Sequence, residues 1–421
     1  MKIAKKIPTL FRTAVFIFSI ALFPILAFAV TPEELRQQIQ QKQSEIQKIE
    51  QQIAAFKNEI KNQQSQEKTL SSQISYMEAQ IRRLFSEIRL TETKISAASL
   101  RIEELESDIL VRNTEIGKQK NNLGEIIRQI NEYDQETPLS MVLKNENFSE
   151  FLNQVQFADN LQENVKEKLV KIKDLKKELE EQKTEIESQK ISLEELRTDL
   201  SGKNKVLNGQ VDEKETLLVQ TKNQEKKYQQ MLTETQKKQK QIEDEIFALE
   251  ENLRLLIDPN SIPGAHHNLF AWPIGNALTQ NYGCLVSSFA RKSYPACNEG
   301  KGNGGFHNGI DIDADLGDPI KAPMDGTISG MGNLGKNAYG KWVTINHGNG
   351  LTTLFAHLST QSVSAGQKVK AGQVIGYAGS TGYSTGAHLH FTVYATNTFS
   401  IEQKSYGLLP LGGSVNPMNY L

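Results

Sequence analysis

From Leu35 onward, apolar side chains recur at alternating steps of four and three residues, and a repeat of that kind permits very few folds. Ile39, Ile46, Ile49, Ile53, Phe56, Ile60, Leu70, Ile74, Met77, Ile81, Leu84 and Ile88 lie on the repeat, and the register continues through Ile95, Ile102, Leu105, Ile109, Ile116, Leu123, Ile126, Ile130 and Tyr133. A helix with such a seam has to bury it against another helix. The spacing predicts a first arm of about a hundred residues, a rod of roughly 150 Å. The repeat breaks over residues 134–160, where Pro138 cannot continue a helix. It resumes at Leu161, Val165, Ile172, Leu175, Leu179, Ile186, Leu193, Leu196, Leu200 and Leu207, and again at Tyr228, Leu232, Ile242, Ile246, Leu249, Leu253 and Leu256.

Two arms of similar length around one break predict an antiparallel coiled-coil hairpin over residues 31–257. Polar seam positions Lys42, Gln63, Glu67 and Arg112 would loosen the rod locally or fix its register. The weaker stretch 202–230, with Gly202 and Gly209, is a candidate hinge. The cluster containing Leu139, Phe148, Phe151 and Phe157 is a candidate apolar tip for a partner or membrane. The plainer use of such a rod is a spacer or dimerisation stalk.

The start of the chain sets the compartment. Lys2, Lys5, Lys6 and Arg12 precede an uncharged apolar run ending in Ala27-Phe28-Ala29, which reads as an export signal over residues 1–29, cut after Ala29. A retained anchor is the alternative, because the run approaches bilayer-spanning length. Cys284 and Cys297 suit an oxidising compartment as one disulfide closing a short loop; metal ligation and two free thiols are the other readings. A formal net charge of −2 gives no pull toward nucleic acid, and no nucleic-acid partner is expected.

Residues 258–267 form a linker that opens with Pro259, Pro263 and Gly264 within seven residues of Asp258. Beyond it, over 268–421, the charged repeats vanish. Alternating segments such as Lys341-Trp342-Val343-Thr344-Ile345 and Thr352-Thr353-Leu354-Phe355-Ala356, with Gly348-Asn349-Gly350 as a turn between them, predict an all-β domain of antiparallel sheet. On a strand, residues two or four apart share a face. His388 and His390 therefore project together, as do His307 and Asp311 if their segment is extended. Two histidines and a carboxylate that converge can hold a divalent metal with a position left open. His266, His267 and His347 lack such spacing and read as ordinary histidines. Asp313, Asp315 and Asp318 read as turn and solvent-facing carboxylates. The glycine runs 302–305 and 379–386 fit no phosphate loop. They read as walls of an open groove, rimmed by residues 280–301, with Asn308 and Tyr383 available for substrate contacts.

The segments Phe306-His307-Asn308-Gly309-Ile310-Asp311, Phe355-Ala356-His357-Leu358 and His388-Leu389-His390-Phe391 resemble, in order, the three signatures of the M23 (LytM or lysostaphin-type) zinc metallopeptidases. The resemblance covers about residues 270–421, and implies the lysostaphin-type duplicated hybrid motif. It implies one zinc ion held by His307, Asp311 and His390, with His357 and His388 as the two catalytic histidines that are not ligands. It also implies cleavage of peptide cross-links or stem peptides in peptidoglycan. The preceding signal and coiled coil resemble the EnvC-type murein hydrolase activators. That likeness implies a coiled-coil arm for regulation or docking, a membrane-embedded, division-associated transporter-like partner, and, as the rival reading, a non-enzymatic activator of separate cell-wall amidases. Relatives of that type often have degenerate sites, whereas every ligand and catalytic position stands intact here. A lipoyl- or biotinyl-type carrier is disfavoured because no exposed lysine turn accompanies Val369, Gly372 and Ile375.

Overall fold

A computed structural model of the chain describes residues 32–64, 69–134, 148–298 and 303–421. The expected export segment 1–29 and much of the expected apolar tip lie outside the described residues. No described helix is long and apolar enough to cross a membrane.

Among the described residues, the first half forms four long helices: α1 (Pro32–Gln64), α2 (Leu70–Asp134), α3 (Phe148–Thr221) and α4 (Glu225–Arg254). Ion pairs fix how they run. Arg82 with Glu59, Arg89 with Glu45 and Arg36 with Glu104 join α1 to α2, the numbers falling on one helix as they rise on the other. Lys214 with Glu78, Arg101 with Glu185 and Arg112 with Glu178 do the same for α2 and α3. Both packings are antiparallel, and seam residues such as Ile49, Met77, Leu84, Leu105, Ile172 and Ile186 are buried.

The α2–α3 pair is the expected hairpin, but the first arm is not one continuous rod. The chain folds back after α1, making α1 a third layer on α2. The restart has a local cause. Thr69 Oγ1 accepts from the Ser72 N–H and Ser72 Oγ from the Thr69 N–H, a reciprocal cap on the N–H groups orphaned at a helix start. Glu225, at the start of α4, accepts from the Leu70 N–H at 2.8 Å.

The candidate hinge also narrows. Gly202 is helical, and a Cβ there would lie 1.9 Å from Cζ of Tyr377, so this glycine is an aromatic's seat on the helix. The interruption lies at Lys222 and Asn223, whose φ values of 49° and 55° are in the left-handed region that a helix cannot contain.

The second half is antiparallel β-structure: β1 (Leu278–Gln280), β2 (Gly283–Leu285), β3 (Ala296–Asn298), β4 (Asn303–His307), β5 (Ile310–Asp313), β6 (Pro319–Lys321), β7 (Gly326–Asn333), β8 (Lys341–Asn346), β9 (Leu351–Leu358), β10 (Thr360–Gln361), β11 (Lys368–Val369), β12 (Val374–Tyr377), β13 (His388–Ala395), β14 (Ser400–Lys404), β15 (Gly407–Leu411) and β16 (Ser414–Val415). A short helix, α5 (Ser288–Ser293), joins β2 to β3. The main sheet runs β1-β5-β13-β9-β8-β7-β11, with β16 on β13.

Alternation along its central strands sends residues to two cores. Ile310, Ile312, Val343, Ile345, Phe355, Leu389, Phe391 and Val393 build one. Trp342, Leu354, Ala356 and Tyr394 face the other side, where they meet Leu409, Leu411 and, from α4, Ile242 and Ile246. The last heptads of the second arm thus find their partner in the sheet and not in another helix, because that sheet face would otherwise be bare.

A second contact lies on other loops of the β-domain. Leu84 and Ile88 of α2 and Val206 and Leu207 of α3 are buried with Leu316 and Tyr377. Arg83, almost wholly buried, donates to Glu87 and to the Leu316 carbonyl. Asp315, expected to face solvent, instead pairs with Lys57 of α1 at 2.5 Å.

Candidate metal centre and its cover

Strand β13 lies between β5 and β9, which places His390 opposite Asp311 on one side and Ala356, the neighbour of His357, on the other. His307 arrives differently from expectation. It ends β4, which belongs to a separate three-stranded sheet β2-β4-β3, and the chain turns at Asn308-Gly309 before β5. His307 and Asp311 therefore converge through a turn and not along one extended strand. Gly309 permits it: a Cβ there would lie 2.6 Å from the Phe391 carbonyl oxygen and 2.9 Å from His390 Cε1.

The three side chains are buried, and their potential ligand atoms lie within 4.8 Å of one another. His307 Nε2 is 3.2 Å from Asp311 Oδ1 and 3.0 Å from His390 Nδ1, and His390 Nδ1 is 3.0 Å from Asp311 Oδ1. The outward nitrogens are engaged elsewhere: His307 Nδ1 lies 2.9 Å from the Asn281 carbonyl oxygen, and His390 Nε2 lies 2.9 Å from Thr392 Oγ1. A proton on each outward nitrogen leaves the inward ones as lone pairs. Two imidazoles and one carboxylate, with their orientations held from behind, fit a divalent metal site with a free position. Burial works against charge on Asp311, yet His307, His390 and His388 hold its carboxyl well below the usual range. His307 is raised despite burial, because Asp311 stands beside it.

His357 and His388 flank this group, with ring centroids 4.7 Å apart. His357 Nδ1 lies 2.8 Å from the Thr381 carbonyl oxygen and His388 Nδ1 lies 2.9 Å from that of Gly386, so each presents Nε2 to the site. His388 Nε2 is 3.7 Å from Asp311 Oδ1. Burial first, then His388 and His390, push His357 well below its ordinary value, and it is neutral at physiological pH. Its backbone is left-handed, φ 60°, a conformation costly for a side chain with a Cβ and legible only in three dimensions.

These residues open onto a cavity of about 350 Å³ that is also lined by Tyr383, Ser384, Thr385 and Gly386 from the glycine run, as expected for a groove wall. Over its described residues, 280–298, the expected rim is strand, helix and strand, closed by the Cys284–Cys297 disulfide. His347 has its Nδ1 2.9 Å from the Asp325 carbonyl oxygen and its Nε2 2.9 Å from Thr353 Oγ1, the satisfied histidine expected.

Helix α4 closes the opposite wall of the cavity with Glu243, Ile246, Phe247 and Glu250. Glu250 is buried and accepts from Asn308 Nδ2 at 2.6 Å, Tyr394 Oη at 2.8 Å and Tyr339 Oη at 2.9 Å. Phe247 packs tilted against Phe306 with centroids 5.5 Å apart, and the Arg254 guanidinium lies 4.0 Å above the Phe306 ring. Asn308, read as a substrate contact, is thus occupied by the chain's own helix. Sequence reasoning missed Glu250, Tyr339 and Tyr294, which lie outside the three histidine segments. Only the four-and-three spacing of Ile242, Ile246, Leu249 and Leu253 marked α4 as having a buried face.

Residues 305–402 match the family model of Peptidase family M23. Over this stretch the chain carries an M23 domain. The M23 domain is 43% identical over 110 residues to the DD-carboxypeptidase/endopeptidase Mpg of Neisseria meningitidis serogroup B, covering 26% of this chain and 24% of Mpg. It is 40% identical over 126 residues to lysostaphin of Staphylococcus staphylolyticus, covering 27% and 25%. The chain spans about a quarter of the length of these curated relatives. The solved catalytic domain of lysostaphin from Staphylococcus simulans is 31% identical, with 34% of this chain and 90% of that one aligned at a TM-score of 0.25.

Proposed function

We propose that this chain is an exported zinc endopeptidase that cuts peptide cross-links or stem peptides of bacterial peptidoglycan and is held latent by α4. The observation that carries the reading is the set His307, Asp311, His390, His357 and His388 around one cavity whose opposite wall is α4. The names of the matched relatives, a carboxypeptidase/endopeptidase and lysostaphin, support a wall peptide as substrate. They give no support to a transporter-like membrane partner, and none enters the proposal.

His307 through Nε2, Asp311 through Oδ1 and His390 through Nδ1 would hold the metal. A zinc ion there supplies a Lewis acid that polarises a scissile carbonyl and lowers the pKa of water. His357 is neutral and aims Nε2 into the cavity, so it can take a proton from water or donate to a developing oxyanion after protonation. His388, with Nε2 on the same side, is the partner in that exchange. Tyr383 and the 384–386 wall would line an extended peptide, and the Asn308 amide would be free to bind it once Glu250 leaves.

The test is release of soluble peptides from purified peptidoglycan by the full chain carrying Ile242→Ala and Ile246→Ala, loaded with zinc, with and without chelator. Release that chelation abolishes and zinc restores is expected. A zinc-loaded variant with α4 displaced that releases nothing would overturn the enzyme reading. Stimulation of a separate amidase by that same inactive variant would put the activator in its place.

A further inference from the structure

We infer that Tyr294, carried on the loop closed by Cys284–Cys297, is a positioning residue that fixes Asp311 and His307 as metal ligands. The inference rests on the zinc reading above and concerns which residue outside the ligand set makes that site tight. Tyr294 stacks on the His307 ring with centroids 4.6 Å apart and planes 10° from parallel. Its hydroxyl donates to Asp311 Oδ2 at 3.1 Å. It is the other oxygen, Oδ1, that lies between His307 Nε2 and His390 Nδ1. The phenol thus occupies the oxygen that faces away from the histidines, leaving Asp311 to offer a metal one oxygen in one direction. Partners of this kind orient ligands and typically govern affinity by about ten- to a hundredfold.

The local architecture is built around this placement. Strands β2 and β3 both pair with β4, so Cys284 lies opposite Phe306 and Cys297 opposite Gly304, one strand on each side of the segment that ends in His307. The disulfide clamps those two flanking strands. Tyr294 follows α5 directly, and its N–H is anchored to the Ala290 carbonyl at 2.9 Å. Gly305 admits the helix: a Cβ there would lie 2.0 Å from the Ala290 oxygen and 2.9 Å from Tyr294 Cβ. On its far side Tyr294 meets Phe289 edge-on at 5.9 Å.

The experiment measures zinc affinity of the full chain by competition with a chromogenic chelator, and the visible spectrum after loading with Co²⁺. Tyr294→Phe keeps the ring on His307 and the edge contact with Phe289 while removing only the hydroxyl. It should bind zinc about tenfold more weakly and alter the Co²⁺ bands as Asp311 gains a second free oxygen. The double variant Cys284→Ser, Cys297→Ser removes the clamp without leaving thiols that would themselves bind zinc, and should lose affinity at least as strongly. Adding Tyr294→Phe to it should then cost less than in the wild-type background, because the two act on one element. Tyr294→Phe with wild-type affinity and an unchanged Co²⁺ spectrum overturns the inference while the zinc reading stands. A wild-type chain that takes up neither metal overturns both.

Discussion

Replacing Ile246 by alanine should convert much of the latent protein into active enzyme. Ile246 is 3% exposed, and its neighbours in the cluster, Trp342, Tyr394 and Leu409 among them, belong to the β-domain, so it has this packing only while α4 is docked. Truncating a buried isoleucine costs about 2–4 kcal/mol, and the loss falls on the docked state, since the side chain is solvated when the helix lifts. Each 1.4 kcal/mol is tenfold, so the docking constant should fall by roughly 30- to 1,000-fold. If activity follows the undocked fraction, peptide release should rise by up to that factor and then plateau at the rate of fully uncovered enzyme. Adding Ile242→Ala should reach the plateau. Gln241→Ala, on the exposed face of the same helix, should change nothing. The assay is initial-rate peptide release from peptidoglycan, read beside limited proteolysis at residues 222–224 to report docking. If α4 becomes protease-sensitive while the rate does not move, the helix is not what restrains the site.

His390→Ala should lose bound zinc, whereas His388→Ala should keep it and lose turnover; metal analysis of the two purified proteins separates the roles, and the reverse pattern would exchange them. Latency should weaken with rising pH. Burial lifts the Glu250 carboxyl to about 7 against the pull of Asn308, Tyr394, Tyr339 and Arg254, and lifts Glu243, which faces Glu250, His307 and Asp244, to about 8. A carboxyl raised in the docked state stabilises docking fully below its ordinary value of 4.5 and loses that contribution as pH climbs through 7, by roughly 3 kcal/mol for Glu250. The activity ratio of wild type to Glu250→Gln should therefore climb between about pH 5 and pH 8, and a flat ratio would contradict the mechanism. Gly202→Ala should destabilise the chain by about 1–3 kcal/mol in urea melts, because the new Cβ meets Tyr377 at 1.9 Å. Gly209→Ala, with nothing within 4 Å, should stabilise by up to about 1 kcal/mol.

The parts legible in the sequence are those where a short local pattern fixes geometry. Strand alternation places His388 and His390 on one face whatever surrounds them, and the heptads of α2 and α3, set on either side of one break, predict an antiparallel seam. What escaped was decided by pairing between distant segments. The fold-back of α1 turns on two hydroxyls, Thr69 and Ser72, that look like any polar pair in a helix-forming run. Gly202 looks like a helix breaker, and only its apposition to Tyr377 reveals a packing role. Ile242 and Ile246 carry a heptad signature that does not say whether the partner is a helix or a sheet. His307 and Asp311 converge, but through a turn at Asn308-Gly309 in place of the extended strand on which their spacing would put them on one face.

The two contacts between the helices and the β-domain have different consequences for how α4 could be released. The contact through Leu316 and Tyr377 is made by α2 and α3, reaches Ala387 beside His388, and includes no residue of α4, so it can persist while α4 moves. Lys222 and Asn223 interrupt the path between the two, and a chain bent there transmits force poorly along a helix axis. Glu225, however, ties the first residue of α4 to the Leu70 N–H of α2. A shift at the start of α2 therefore acts on the end of α4 nearest the break, about five to six helical turns from the Ile242 and Ile246 contacts. Any partner that activates through this route must prefer the lifted state by at least the docking free energy, because equal affinity for both states moves nothing. Substitution of Glu225 by glutamine should test the link, since it keeps the side chain's length while weakening the cap on Leu70. If activation by an added partner survives Glu225→Gln unchanged, the signal reaches α4 directly and not through α2.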